Sequence, residues 1–413
     1  MLKRSDDGYL IASGLMALGT FAIGTDAFIV AGMLSPLAAT LAVAPAQAGW
    51  LISIFALAYA LFAPLSAWLL GHLNRRRILQ LALALFIVGN LTCAFAAGYL
   101  QLSLGRILAA LGAACYTPQA AAAAAELAPE KRRGRAISIV YGGMTLAIAL
   151  GVPFGTFFTQ LIGWREVFAL ITLLGAAALL GLSLALRPLA APGSYGLKAR
   201  LAPLRQKAVL TTLLIAFFAV CSEHLVYSYV SVLLRHTRLG SERILPFALL
   251  AFGIGAVIGN AVSGKLTDTL GSRLTLLLSI TAQTLTLLLL GFSLASPWRV
   301  LTLFLVWGIA GWMYLVPLQH HLLALSKRAG PLTVALNGSA LYAGIAAGGM
   351  LGSFALAGQP ADRLPLFALP FGAIALLLTL IGFKKEENTG GGKSTAAPTF
   401  GKLGASERYF RER

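Results

Sequence analysis

The sequence has 413 residues, 58% of them hydrophobic and only 11% charged, with a mean hydropathy of +0.82. Soluble globular domains carry about a quarter charged residues, so this balance excludes one. The formal charge of +18 invites a nucleic-acid reading, which the placement of the basic residues along the chain rejects.

A helix crosses a bilayer with about 20 mostly apolar residues. The apolar runs have that length and lack the alternation of a membrane barrel, which predicts an all-α membrane protein. Twelve spans are expected, at residues 10–35, 48–70, 77–98, 101–124, 135–162, 166–187, 208–234, 245–267, 273–294, 298–324, 331–357 and 364–383. The first is too long for the core of a cleaved signal and is expected to stay. Cys93, Cys115 and Cys221 fall inside apolar runs at spacings that suit neither a disulfide framework nor zinc; no metal or cofactor is expected.

The spans divide into an N-terminal six-helix bundle, 1–187, and a C-terminal one, 208–385, with a linker at 188–207 and a disordered tail at 386–413. Pro188, Pro192 and Pro203 interrupt any helix in the linker. Of the 32 Lys and Arg residues, 25 fall on segments sharing a side with the N terminus, six fall on the opposite loops, and Arg106 lies inside a span. The positive-inside rule then places the linker and both termini in the cytoplasm, so the charge is topological.

Asp26 stands deep in the first span, where a carboxylate costs roughly 3 kcal/mol on insertion scales and faces a protein interior or a wet path. At 1.5 Å per residue it lies about 24 Å from the cytoplasmic end, and Arg106, entering from the other side, lies about 22 Å up. The two share a level, so ion pairing and protonation of Asp26 could alternate; a static structural pair is the competing reading. Glu223 in span 7 is the second buried acid, with Tyr227 one turn on. His224 is expected to turn about 100° away from Glu223, on another wall.

Shifting the chain by 197 residues superimposes Asp26 on Glu223, Gly71 on Asp268, Arg76 on Arg273, Gly151 on Gly348 and Gly155 on Gly352; Pro118 falls within two residues of Pro317. Six spans repeated in one orientation are the plan of transporters whose halves rock about a central site. Pro118 and Pro317 predict bent helices lining a cavity. Tyr116, Gln119, Tyr227, Tyr229, Gln319, Asn337 and Tyr342 are expected at cavity depth, offering aromatic faces and neutral hydrogen bonds. Gly151, Pro153 and Gly155, with Gly348 and Gly352 opposite, predict close seams between spans. His320 and His321 are expected near the cytoplasmic surface.

The stretches GTDAFIVAGML in span 1, GRILAALGAACYTPQA in span 4, GVPFG and GWREVF around the end of span 5, SGKLTDTLGSR after span 8 and ALNGSALYAGIAAGG in span 11 resemble the major facilitator superfamily. Within it they are similar to the twelve-span drug:proton antiporter branch that includes bacterial sugar and purine efflux permeases. The resemblance covers about residues 10–385 and implies two pseudo-symmetric six-helix bundles, alternating access and proton-driven export across a bacterial inner membrane. Asp26, Arg106 and Glu223, the charges at membrane depth, are the proton-coupling candidates, and Arg106 also matches the branch's span-4 signature. Arg75, Arg76 and Arg77, with Asp268 and Arg273 in the second half, become gating residues. The sequence departs from the family after span 2, where Ala67 and Gly71 stand for the signature's Gly and Asp; a carboxylate-centred network is therefore not expected on that side.

The expectation is a monomeric secondary transporter, a proton-coupled antiporter exporting a small amphipathic or polar organic solute such as a drug, sugar or nucleoside-like compound. Its partners are that substrate, protons and the bilayer. An uptake symporter and a dedicated metabolite exporter share every feature. A membrane enzyme lacks support, with neither HExxH nor a GxSxG elbow present, and a receptor incapable of transport would show no proton dependence.

Overall fold

The computed structural model describes residues 8–187, 189, 191, 196–325 and 330–383. The expected tail at 386–413, Lys3, Arg4, Lys327, Arg328 and part of the linker lie outside the described residues. The elements of the first half are α1 (Gly8–Thr40), α2 (Pro45–Leu69), α3 (Arg75–Ala94), α4 (Tyr99–Leu127), α5 (Glu130–Ile162) and α6 (Trp164–Ala185). A short helix, Leu197–Leu201, follows in the linker, where none was expected. The second half begins with α7 (Lys207–Tyr227).

Helix Gly240–Gly291 has 52 residues, about 78 Å if straight, more than twice the hydrocarbon thickness. Its one non-helical residue, Gly271, has φ 80° and ψ 163°, a conformation that favours glycine. The helix therefore comprises two crossings, α8 (240–270) and α9 (272–291), meeting where the sequence predicts a loop. With α10 (Pro297–Leu325), α11 (Gly330–Gly358) and α12 (Leu364–Gly382), eleven candidate membrane stretches give twelve crossings among the described residues.

Local chemistry sets several helix ends. Asn74 caps α3 by accepting the Arg77 backbone N–H at 2.9 Å. Gly163, at φ 101°, turns α5 into α6. Within α5, Pro153 lacks the N–H that the Ala149 carbonyl would receive, and residues Ala147–Gly151 widen into a π-helical turn. Span 7 ends at Tyr227, short of the expected 234, because the chain breaks at Ser228 and Tyr229 before resuming at Val230–Leu233.

The 197-residue register is visible in the packing. Gly151 and Gly155 on α5 lie against Thr25 and Ile29 of α1, and Gly348 and Gly352 on α11 lie against the α7 backbone at Cys221 and Leu225. Side chains at those glycines would meet these neighbours, so both seams depend on close approach. Between the halves, α2 packs along α11 and α5 along α8. Ser353 Oγ donates to the Ala46 carbonyl at 2.9 Å and Gln160 Nε2 to the Glu242 carbonyl at 2.7 Å, at the helix ends remote from the linker. The halves are joined at that end and part toward the linker.

Candidate functional site

Where the halves part they enclose a cavity of about 710 Å³. Its mouth lies on the linker side, where Arg200 of the linker helix lines it together with Gln119, Gln319 and Leu323. Deeper, α7 contributes Val220, Glu223, His224 and Tyr227, a stripe at i, i+3, i+4 and i+7. His224 thus shares the wall of Glu223, contrary to the expectation that it faces away: residues 100° apart both fit on a stripe this wide. Phe28 of α1 reaches across to this wall, 6.0 Å from the His224 ring and 6.3 Å from that of Tyr227, while Tyr227 also packs on Phe252 at 5.1 Å.

Glu223 is the one acid among the described lining residues. It is 3% exposed, and its Oε2 has no hydrogen-bond partner among the described residues. Gly311 of α10 leaves room for the carboxylate, since a Cβ there would lie 2.9 Å from Oε2. The repeat register gives Glu223 no counterpart of Arg106, because the matching position is Leu303.

Asp26 and Arg106 do meet. Arg106 Nη1 donates to Asp26 Oδ1 at 2.5 Å, with both side chains fully buried. The guanidinium lies 4.2 Å from the Phe55 ring centroid and 6.0 Å from that of Phe168, a cation–π setting supplied by α2 and α6. Neither member of the pair lines the cavity. The expected picture of two acids flanking one cavity is corrected accordingly: Glu223 faces it, and Asp26 is sealed inside the first half.

Of the residues expected at the cavity, Gln119, Tyr227, Gln319, Asn337 and Tyr342 line it, as does Pro118. Tyr116 and Tyr229 do not. The Tyr116 hydroxyl donates to the Met16 carbonyl at 3.2 Å inside the first half, and that of Tyr229 donates to the Gly349 carbonyl at 2.8 Å in the closed seam. Both expectations relied on depth along the helix, which carries no information about direction around it.

At the linker face, Arg75 Nε pairs with Glu126 at 3.0 Å and Arg75 Nη1 donates to Gln119 Oε1 at 3.2 Å. An acid from the end of α4 therefore meets the basic cluster although Gly71 carries none. Arg76 donates to the Ser183 carbonyl at 2.7 Å, and the Arg77 side chain is exposed. Asp268 is exposed near the end of α8, Arg273 is half-buried at the start of α9, and Pro317 is buried in α10. His320 Nδ1 sits 3.0 Å from Ser272 Oγ, and His321 stacks on Phe383 at 4.0 Å.

Two joined six-helix halves around a central cavity with one closed end define a carrier-type membrane transporter. The chain belongs to the major facilitator superfamily, whose model matches residues 16–330. It is 30% identical over 368 residues to the MFS-type transporter YbcL of Bacillus subtilis, covering 89% of this chain and 93% of that protein. It is also 30% identical over 380 residues to the inner membrane transport protein YdhP of Escherichia coli K12, covering 91% and 96%. A bacterial homologue of the human lysosomal transporter Spinster, solved in an inward-facing and unoccupied conformation, shares the fold at a TM-score of 0.69 and 19% identity, over 92% of this chain and 97% of that one.

Proposed function

We propose that this transporter is a proton-coupled antiporter that exports amphipathic organic cations across a bacterial cytoplasmic membrane, as a monomer with both termini inside. The observation that carries the reading is Glu223, the one acid among the described lining residues, set deep in a wall of aromatic, aliphatic and neutral polar side chains beside His224, with Arg200 lining only the mouth. An ionised carboxylate there attracts a cation whose apolar body is held by Tyr227, Phe252 and Trp312, and cation–π contacts in a dry site add about 2 kcal/mol. A proton and a cation compete for the same carboxylate, and that exclusion is what exchange requires. Sugars and nucleosides can hydrogen-bond to the acid through their hydroxyls but bring no charge to neutralise it in a dry site, so the cation is the better-supported substrate class.

The 25-to-6 partition of basic residues supports a cavity mouth on the cytoplasmic side. Alternating access then requires the α2–α11 and α5–α8 seams to open while the linker side closes, and the glycine seams within each half let helices slide. Asp26 and Arg106 act as a lock inside the first half, ionised together in this state and separable when Asp26 is protonated. Flux of a radiolabelled organic cation into everted vesicles, with and without an imposed pH gradient, tests the reading. Gradient-driven accumulation abolished by Glu223→Gln supports it; accumulation indifferent to the gradient refutes it.

A further inference from the structure

On the α2–α11 side the cavity ends at a pair of stacked rings. Tyr59 on α2 and Tyr342 on α11, from opposite halves, stack with centroids 3.6 Å apart and planes inclined by 15°, and both line the cavity. The antiparallel α2–α11 seam continues outward from them: Ser53 faces Gly349, Trp50 meets Phe354 edge-on at 6.0 Å, and Ser353 bonds to Ala46. The tyrosine pair is the innermost rung of this ladder, where the seam meets the cavity.

Two like rings stacked face to face present their negative faces to each other, which makes this the less favourable of the aromatic geometries. A planar aromatic cation slid between them replaces that contact with two attractive ones, because each tyrosine face then meets a positively charged ring. An aliphatic quaternary cation of the same size still meets the ring faces through its N-methyl groups but adds no ring-on-ring stacking, which is the planar ring's advantage. We propose that Tyr59 and Tyr342 are specificity-determining residues that select organic cations bearing a planar aromatic ring, which intercalate between them. The inference rests on the cavity taking organic cations, as argued from Glu223.

The test is isothermal titration of the purified full-length protein in detergent with N-methylquinolinium and its saturated counterpart N,N-dimethyldecahydroquinolinium, which share charge and skeleton. The aromatic cation is expected to bind about three- to tenfold more tightly. Tyr59→Phe and Tyr342→Phe keep that ratio, because the rings remain. Tyr59→Leu and Tyr342→Leu bring it toward one by weakening the aromatic cation more than the saturated one, a split between ligands that a merely structural role does not produce. A ratio of one in the unaltered protein overturns the inference without needing any variant, and a ratio that survives both leucine substitutions overturns it too; either leaves the cation reading intact. Binding of neither cation overturns the cation reading, and this inference with it.

Discussion

Asp26 and Arg106 form a buried pair whose two members fail differently when left alone. Asp26→Asn leaves a guanidinium with no carboxylate, and arginine does not deprotonate in proteins, so the charge stays. Breaking a buried pair in this way costs about 3–5 kcal/mol. The Phe55 contact at 4.2 Å is made with or without the carboxylate, so it offsets none of that loss, which does not vary with pH. Arg106→Leu instead strands a carboxylate, which escapes by taking up a proton. The folded variant then binds more protons than the unfolded chain, so its stability rises as pH falls. The assay is unfolding in mixed micelles between pH 5 and 8 for both single variants and for Asp26→Asn/Arg106→Leu, read as a double-mutant cycle. The double variant is expected to be more stable than Asp26→Asn alone, because it buries no unpaired charge. An Asp26→Asn penalty below about 1 kcal/mol, or an Arg106→Leu penalty flat across that pH range, refutes the account of the pair.

Other outcomes follow from the same geometry. Asp26→Asn abolishes gradient-driven export in everted vesicles even at temperatures where the variant remains folded; full transport would show the pair to be structural only. Tyr116→Phe costs about 1 kcal/mol of stability through the lost bond to Met16 and leaves cation affinity unchanged, as titration calorimetry would show, because the hydroxyl faces away from the cavity. Gly348→Leu places a side chain against the α7 backbone at Cys221, and size-exclusion profiles should show loss of the folded monomer. Glu126→Gln removes a partly exposed pair worth at most about 1 kcal/mol, so thermal stability shifts little, whereas transport rates report whether Arg75 must let go of α4 during turnover.

The Asp26–Arg106 pair was legible in the sequence because depth along a straight helix follows from residue counting, and so few charges occur at that depth that level alone nominates the partner. The repeat was legible because acid-on-acid and Arg-on-Arg matches are rare in so apolar a chain. What surrounds Arg106 was not: Phe55 and Phe168 are two of 22 phenylalanines, and nothing in an apolar span distinguishes a ring that cradles a cation from one that meets lipid. Azimuth was the recurrent gap. It misdirected Tyr116 and Tyr229, and it separated His224 from Glu223, although the spacing of Val220, Glu223, His224 and Tyr227 carried the signal of a common face. Glu126 lies at a span end, where an acid costs little, so its position in the sequence does not nominate it as the partner of Arg75. The meeting of α8 and α9 at Gly271 depends on one positive φ, which a lone glycine in a loop-like stretch does not announce.

The central claim is that a proton and an organic cation compete for Glu223. It is tested most directly by counting protons released when N-methylquinolinium is added to the purified protein in weakly buffered detergent solution. The account predicts release that grows as the starting pH is lowered into the range where Glu223 holds its proton, and its disappearance in Glu223→Gln. Cation binding with no proton release at any pH, or release undiminished in Glu223→Gln, would contradict it.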